Sequence, residues 1–171
     1  MSATLQIQQL NSFLRQQQIL RQIDLTLAAG QSHVLMGPNG AGKSTLAQSI
    51  MGQPNYRVAA EKLTFNNKNL LKLDPQERAG LGIFLSFQQA VEIPGLRVYS
   101  YLRLLYNNSH REKLSPPKFR AWLKEKLDLL QLNESYLQRS LNDGFSGGEK
   151  KKMEMLQMLV LEPRLVILDE I

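Results

Sequence analysis

The sequence predicts an α/β fold in which a parallel-stranded core carries an antiparallel β subdomain near its start and an inserted helical subdomain in its second half. Three observations predict it. Leu5, Ile7 and Leu10, then Ile19, Ile23, Leu25 and Leu27, recur among polar residues with the period-two texture of half-buried antiparallel strands. Residues 32–36 are a short apolar run of the kind buried on both faces of a parallel sheet, and 83–87 and 165–168 are further short strand candidates. Between residues 96 and 138 the apolar spacing becomes helical.

The elements follow in order. A Gln-rich turn at residues 16–18 joins the two opening strands, and Ala28, Ala29 and Gly30 turn the chain into the strand predicted at 32–36. That run leads into a glycine-rich loop, residues 37–42, and then a helix from about Lys43 that Gly52 can end. Residues 57–65 read as one further strand with Asn66 and Asn67 as its turn. Asp74, Pro75 and Glu77 have the order of an N-cap, an N1 proline and an acidic N3, so a short helix begins there. Ile83 to Phe87 is the next strand, running into Gln88 and Gln89.

Ser115 and Pro116 open a helix whose apolar positions Phe119, Leu123, Leu127 and Leu130 share a face, with Trp122 as a further core residue and Lys and Glu on the solvated side. Residues 144–148 break the pattern. A helix follows from Glu149 to about Leu161, Pro163 stops it, and residues 165–168 form the last strand. The organisation is then a β subdomain and phosphate-loop core over 1–87, a helical subdomain over 88–143, and a helix with a final core strand over 144–171.

Composition narrows the chemistry. The chain has 171 residues, 21 Lys and Arg against 15 Asp and Glu for a net charge of +6, and no Cys. Without Cys there is no disulfide framework, no cysteine nucleophile and no thiolate ligation of zinc or iron–sulfur clusters by this chain. His33 and His110 alone make no His-rich metal site. No run approaches the roughly 18 consecutive apolar residues of a membrane span, and the start carries no signal-peptide pattern. The chain reads as soluble and cytoplasmic, with no direct membrane insertion. Its basic residues are dispersed among acids with no aromatic-basic stripe, which argues against a nucleic-acid partner.

Gly37, Pro38, Asn39, Gly40, Ala41, Gly42, Lys43, Ser44 and Thr45 fit G-x-x-x-x-G-K-[ST] between an apolar run and a predicted helix, the context of a P-loop. Its glycines let successive N–H groups curl around an anion, and the helix N-terminus adds partial positive charge. Lys43 then reaches the β and γ phosphates and Ser44 ligates Mg²⁺; the competing reading is a glycine-rich turn. Leu165 to Leu168 ends in Asp169 and Glu170, the form of a Walker B strand, or simply a strand end. In a parallel sheet it reaches the same edge as residues 32–36, so Asp169 can face Ser44 across Mg²⁺ and Glu170 can act as general base.

Phe145, Ser146, Gly147, Gly148 and Glu149, ahead of three lysines, resemble the signature motif of ATP-binding cassette (ABC) ATPases; a plain helix cap is the alternative. The resemblance implies a P-loop NTPase of the ABC nucleotide-binding-domain type that binds ATP and Mg²⁺, with Ser146, Gly147 and Gly148 closing over the γ-phosphate of a second subunit. Gln88 resembles the Q-loop glutamine that contacts Mg²⁺ and water, and would otherwise be a surface residue. Phe13 is the nearest aromatic for stacking on adenine, or a core residue.

The stretches Gly82 to Gln88, Val91-Glu92-Ile93-Pro94-Gly95, Gly144 to Lys151, Leu156-Gln157-Met158 and Leu161-Glu162-Pro163 are similar to the Suf-system ATPase family, SufC. V-E-I-P-G is the most specific of them. That resemblance implies an ATPase that binds the scaffold proteins SufB and SufD, forms an ATP-dependent homodimer and powers iron–sulfur cluster assembly on its partners. The alternatives are an ABC transporter's ATP-binding subunit, or a product that binds nucleotide without turnover. Gln89 and Ala90 depart from the family, where an aromatic and Pro are usual. The family also continues past the position of Ile171 with a D-loop, further core strands and a switch histidine that neither His33 nor His110 matches, so the core sheet is expected to be incomplete at its C-terminus. The purified 171-residue chain is accordingly expected to show little steady-state ATPase activity; robust Mg-ATP turnover abolished by Lys43→Ala would contradict this.

Overall fold

The alternating residues at the start of the chain form two 12-residue antiparallel strands, β1 (Ala3–Leu14) and β2 (Gln17–Ala28), paired from Leu5 opposite Leu27 to Leu14 opposite Gln17. Leu5, Ile7, Leu10 and Ser12 are buried on one face, although strict alternation would put position 9 there instead of 10. Gln9 explains the change of phase: its backbone is left-handed, φ 51°, and it bulges so that Leu10 returns to the core side. The bulged N–H is not orphaned, because Asp24 Oδ1 accepts it at 2.8 Å. Gln22, φ 48°, makes the matching irregularity in β2, its N–H donating to Asn11 Oδ1 at 3.1 Å.

The computed structural model describes residues 3–86 and 91–169, in two compact units, Met1–Leu85 and Ser86–Ile171. In the first unit the chain continues from β2 through residues 31–42, an irregular stretch, into α1 (Lys43–Met51). The strand predicted at 32–36 is therefore not formed. Val34 and Met36 are 83% and 89% exposed, and no described strand of this unit pairs with them. A two-sided parallel strand is held by ladders on its flanks, and an apolar run alone supplies neither.

The single strand predicted at 57–65 is two, β3 (Tyr56–Ala59) and β4 (Lys62–Phe65). Both pair antiparallel with β1 in one continuous register, Leu14 opposite Tyr56 through Leu5 opposite Phe65, and the gap falls opposite the Gln9 bulge. Asn66 and Asn67, φ 47° and 63°, make the mirror-image turn that suits a two-residue hairpin into β5 (Lys68–Asn69). The sheet order is β2-β1-β4-β5 with β3 on β1.

The predicted helix at Asp74 is α2 (Pro75–Gly80), closed by a full capping box between Asp74 and Glu77. Arg78 on α2 turns inward, 5% exposed, and its guanidinium donates to the carbonyls of Ser49 and Ile50 at 2.9 and 2.8 Å and of Leu73 at 3.0 Å. It thus supplies a donor to the Ile50 carbonyl at the end of α1 and a second donor to that of Ser49, which also accepts the Gly52 N–H. Gly52, φ 79°, caps α1 directly beneath it; a Cβ there would lie 2.6 Å from Arg78 Cζ. The unit closes with β6 (Ile83–Leu85); Phe87 of the predicted 83–87 strand lies outside the described residues.

In the second unit β7 (Ile93–Arg97) leads into α3 (Val98–Ser109), followed by α4 (Pro116–Leu129), β8 (Ser140–Leu141), α5 (Gly147–Leu161) and β9 (Leu165–Ile167). The helical texture predicted from residue 96 begins two residues later, because Leu96 and Arg97 belong to β7, which pairs antiparallel with β8. The core lies between the helices: Val98, Leu102 and Tyr106 of α3, Phe119, Leu123 and Leu127 of α4, and Met153, Leu156 and Val160 of α5 are all buried. Trp122 is half-buried against this cluster, edge-on to Tyr106 at 5.0 Å. Each such burial contributes roughly 1.5–3 kcal/mol before entropy is counted.

Arg78→Met is expected to lower stability by about 2–3 kcal/mol, since it strips donors from buried carbonyls. A urea-denaturation midpoint checks this; a loss within the ~0.5 kcal/mol of an ordinary surface change would contradict it.

Candidate nucleotide-binding site

The loop before α1 combines left-handed glycines with a helix start that no side chain caps. Gly40 and Gly42 hold φ 81° and 92°, conformations that L side chains rarely adopt. At Gly42 space is short as well: a Cβ would sit 2.7 Å from Leu20 Cδ2. The loop is closed by Ala41 N–H donating to Pro38 O at 3.2 Å, and α1 begins with Leu46 N–H to Gly42 O at 2.9 Å. No side chain caps this helix start, and its first turn contains no acidic residue. Partial positive charge therefore reaches the surface uncancelled.

Lys43 bends back over the loop, its Nζ donating to Gly37 O at 2.9 Å and Pro38 O at 3.0 Å. An ammonium resting on two carbonyls can exchange them for phosphate oxygens. Thr45 is buried and Ser44 half-buried on the same turn, so the structure brings Gly37, Pro38, Asn39, Gly40, Ala41, Gly42, Lys43, Ser44 and Thr45 together on one loop and helix. Phe13 is half-buried, and the Arg57 guanidinium covers its ring at 4.3 Å.

In the second unit Ser146 is the N-cap of α5, with Gly147 and Gly148 as its first residues. Ser146 Oγ accepts from Glu149 N–H at 3.3 Å, and Ser146 N–H donates to Glu149 Oε2 at 2.6 Å, a complete capping box. The other Glu149 oxygen accepts the Tyr136 hydroxyl proton and lies 3.8 Å from an Arg139 nitrogen. These contacts, led by the Tyr136 hydroxyl, hold the Glu149 carboxyl down to about 2, while Tyr136 is pushed up by the carboxylate it serves.

Asp169 is half-buried two residues past β9, and Ser86 N–H donates to Ile167 O at 2.9 Å. Among the described residues no cluster of three or more His, Asp or Glu could hold a metal by itself. The hydroxyl of Ser44 and the carboxylate of Asp169 are nonetheless hard oxygen donors of the type Mg²⁺ takes alongside substrate phosphates. Gln88 and Glu170 lie outside the described residues.

The ABC transporter family profile matches residues 20–171. The chain belongs to the ABC transporter family. Among its relatives, the "Probable ATP-dependent transporter ycf16" of Cyanophora paradoxa is 45% identical over 170 residues, covering 97% of this chain and 66% of that protein. The "Probable ATP-dependent transporter slr0075" of Synechocystis sp. is 46% identical over 171 residues, covering 98% of this chain and 67% of that one. The chain thus spans about two thirds of the length of these curated relatives. A solved ATP-binding subunit of an ABC transporter superposes with TM-score 0.79 at 26% identity, over 98% of this chain and 66% of its own. A dimeric bacterial ABC transporter cassette superposes equally well, TM-score 0.79, at 21% identity over 96% of this chain and 73% of its own, a likeness of fold.

This ABC-family chain therefore has the α/β P-loop fold read from its motifs. Among its described residues no helix is long and apolar enough to cross a membrane. Sequence reasoning missed Arg78, Tyr136 and Arg139. The first lay inside the short helix predicted from Asp74 and the others in the segment assigned to the helical subdomain, so no motif marked them. Glu149 stood in the predicted signature, and its position three residues after Ser146 is the signal that would have marked the capping box.

The depressed Glu149 carboxyl contributes stability that is fully present above about pH 4.5 and is lost as pH falls toward about 2. Thermal midpoints of the native chain and Glu149→Gln are expected to differ most above pH 4.5 and to converge near pH 2. A difference that persists unchanged to pH 2 would contradict this role.

Proposed function

We propose that this chain binds ATP with Mg²⁺ at the loop of residues 37–45 and belongs to an ATP-hydrolysing subunit that drives a SufB and SufD iron–sulfur assembly scaffold. The observation that carries the nucleotide part is the open start of α1, with left-handed Gly42, an uncapped first turn and Lys43 poised on exchangeable carbonyls. Backbone amides of this turn take the phosphate oxygens and Lys43 neutralises the outer phosphates. Ser44 and Asp169, with Gln88, would hold Mg²⁺, which supplies charge neutralisation on the phosphates.

In hydrolysis, water attacks the γ-phosphorus, the bond to the β-bridging oxygen breaks, and Glu170 takes the water's proton. Gly147 and Gly148, ordered by the Ser146 cap, present helix-start amides to the γ-phosphate held by a second copy, the basis of an ATP-dependent homodimer. The Suf assignment rests on the V-E-I-P-G stretch and the F-S-G-G-E form of the signature. A transporter subunit is the second reading, favoured by the names of the ycf16 and slr0075 relatives. It shares the same nucleotide chemistry and differs in what docks beside residues 88–95.

Titration with a fluorescent ATP analogue is expected to saturate on the native chain and to weaken by about tenfold or more in Lys43→Ala, the loss of a charge-assisted contact of roughly 1.5–3 kcal/mol. Equal binding by both proteins would contradict the site. Capture of SufB and SufD is the expected result of co-purification, and capture of a membrane permease instead would overturn the Suf reading in favour of the transporter one.

A further inference from the structure

A carboxylate at the start of α5 poses an electrostatic problem for a turn that meets phosphate. Glu149 is the third residue of the helix, and a helix start attracts anions. A Glu149 side chain swung outward would occupy the very charge that a phosphate needs. In the structure it is instead folded back, with both oxygens engaged: Oε2 takes the Ser146 N–H at 2.6 Å, and Oε1 takes the Tyr136 hydroxyl and faces Arg139.

Arg139 is itself firmly seated. One of its nitrogens donates to Gly144 O at 3.1 Å, and its guanidinium lies over the Phe145 ring at 4.2 Å. Phe145 meets Tyr136 edge-on at 5.5 Å, so the two residues that hold Glu149 also pack on the residue before Ser146. The neighbouring cation Lys150 is turned to Glu92 at 2.6 Å. Arg139 is thus the cation that faces the Glu149 carboxylate in the described contacts.

Gly147 and Gly148 are different in kind. A Cβ on either would meet nothing within 4 Å. Their packing leaves the space in front of the helix start open, where Gly42 and Gly52 are crowded by their own chain.

We propose that Arg139 and Tyr136 are positioning residues for the signature turn, holding the Glu149 carboxylate in the capping box and cancelling its charge so that the amides of Gly147 and Gly148 stay available to a phosphate. This rests on the reading that the turn closes over the γ-phosphate of a second copy. Its distinctive consequence is a rescue. Removing Arg139 leaves an uncancelled negative charge beside the phosphate, and removing the Glu149 charge as well relieves it.

The test uses the 171-residue chain, with Mg-ATP as probe, self-association read by sedimentation, and the Glu149 carboxyl titrated by NMR. Arg139→Gln is expected to weaken ATP-dependent association by roughly three- to tenfold, the range of a helix-start charge. ATP affinity at the P-loop stays unchanged, and Arg139→Gln with Glu149→Gln recovers most of the association. Tyr136→Phe and Arg139→Gln are each expected to raise the Glu149 titration point. Association lost in Gly147→Asp but indifferent to Arg139→Gln, or a double variant no better than the single, would overturn the inference alone. So would a titration point unmoved by either variant. A native chain that binds ATP without associating would overturn the reading beneath it and the inference together.

Discussion

The helix ends carry this structure, and α1 is the end on which the rest depends. Its N-terminus is left without a side-chain cap, which forfeits a contribution of about 1 kcal/mol that Ser, Thr, Asp or Asn would supply. The helix must then be held by other means. Arg78 binds two carbonyls at its far end, Gly52 turns the chain beneath that guanidinium, and Ser49 Oγ meets Ser12 Oγ of β1 at 2.8 Å in a buried contact. The bulge at Gln9 matters here too, because it puts Leu10 and Ser12 on the core face of β1. A rigid helix anchored from behind can present an open, positively polarised front.

The same logic appears with the opposite solution in α5. That helix start has a full capping box, so its first turn is ordered by its own side chains. The cost is a carboxylate close to a site proposed to meet phosphate, and Tyr136 and Arg139 offset it. On the proposed reading the two ends share one chemistry, backbone amides offered to an anion. One is kept open by having no acid in its turn, the other by having its acid folded away.

Much of this was legible in the sequence because the signals were local. Asp74 to Glu77 and Ser146 to Glu149 specify their capping boxes within four residues, and Asn66 and Asn67 specify their turn by themselves. The glycine pattern of residues 37–42 announced its left-handed positions in the same way. What was not legible depends on distant partners. The apolar run at 32–36 reads as a strand, yet it is exposed and unladdered among the described residues, since a parallel strand exists only through its neighbours. The division of 57–65 is dictated by a bulge in another strand. Nothing in the short helix predicted from Asp74 marked Arg78, and two of its three target carbonyls lie 28 and 29 residues away. Arg139 and Tyr136 acquire meaning only when Glu149 folds back onto them.

The uncapped start of α1 is the proposed place of anion binding. The direct measurement is backbone-amide NMR of the chain titrated with Mg-ATP. The expected result is large downfield shifts confined to the amides of residues 40–45, with the Lys43 ammonium leaving the carbonyls of Gly37 and Pro38. Saturable ATP binding that leaves those amides unmoved would contradict it.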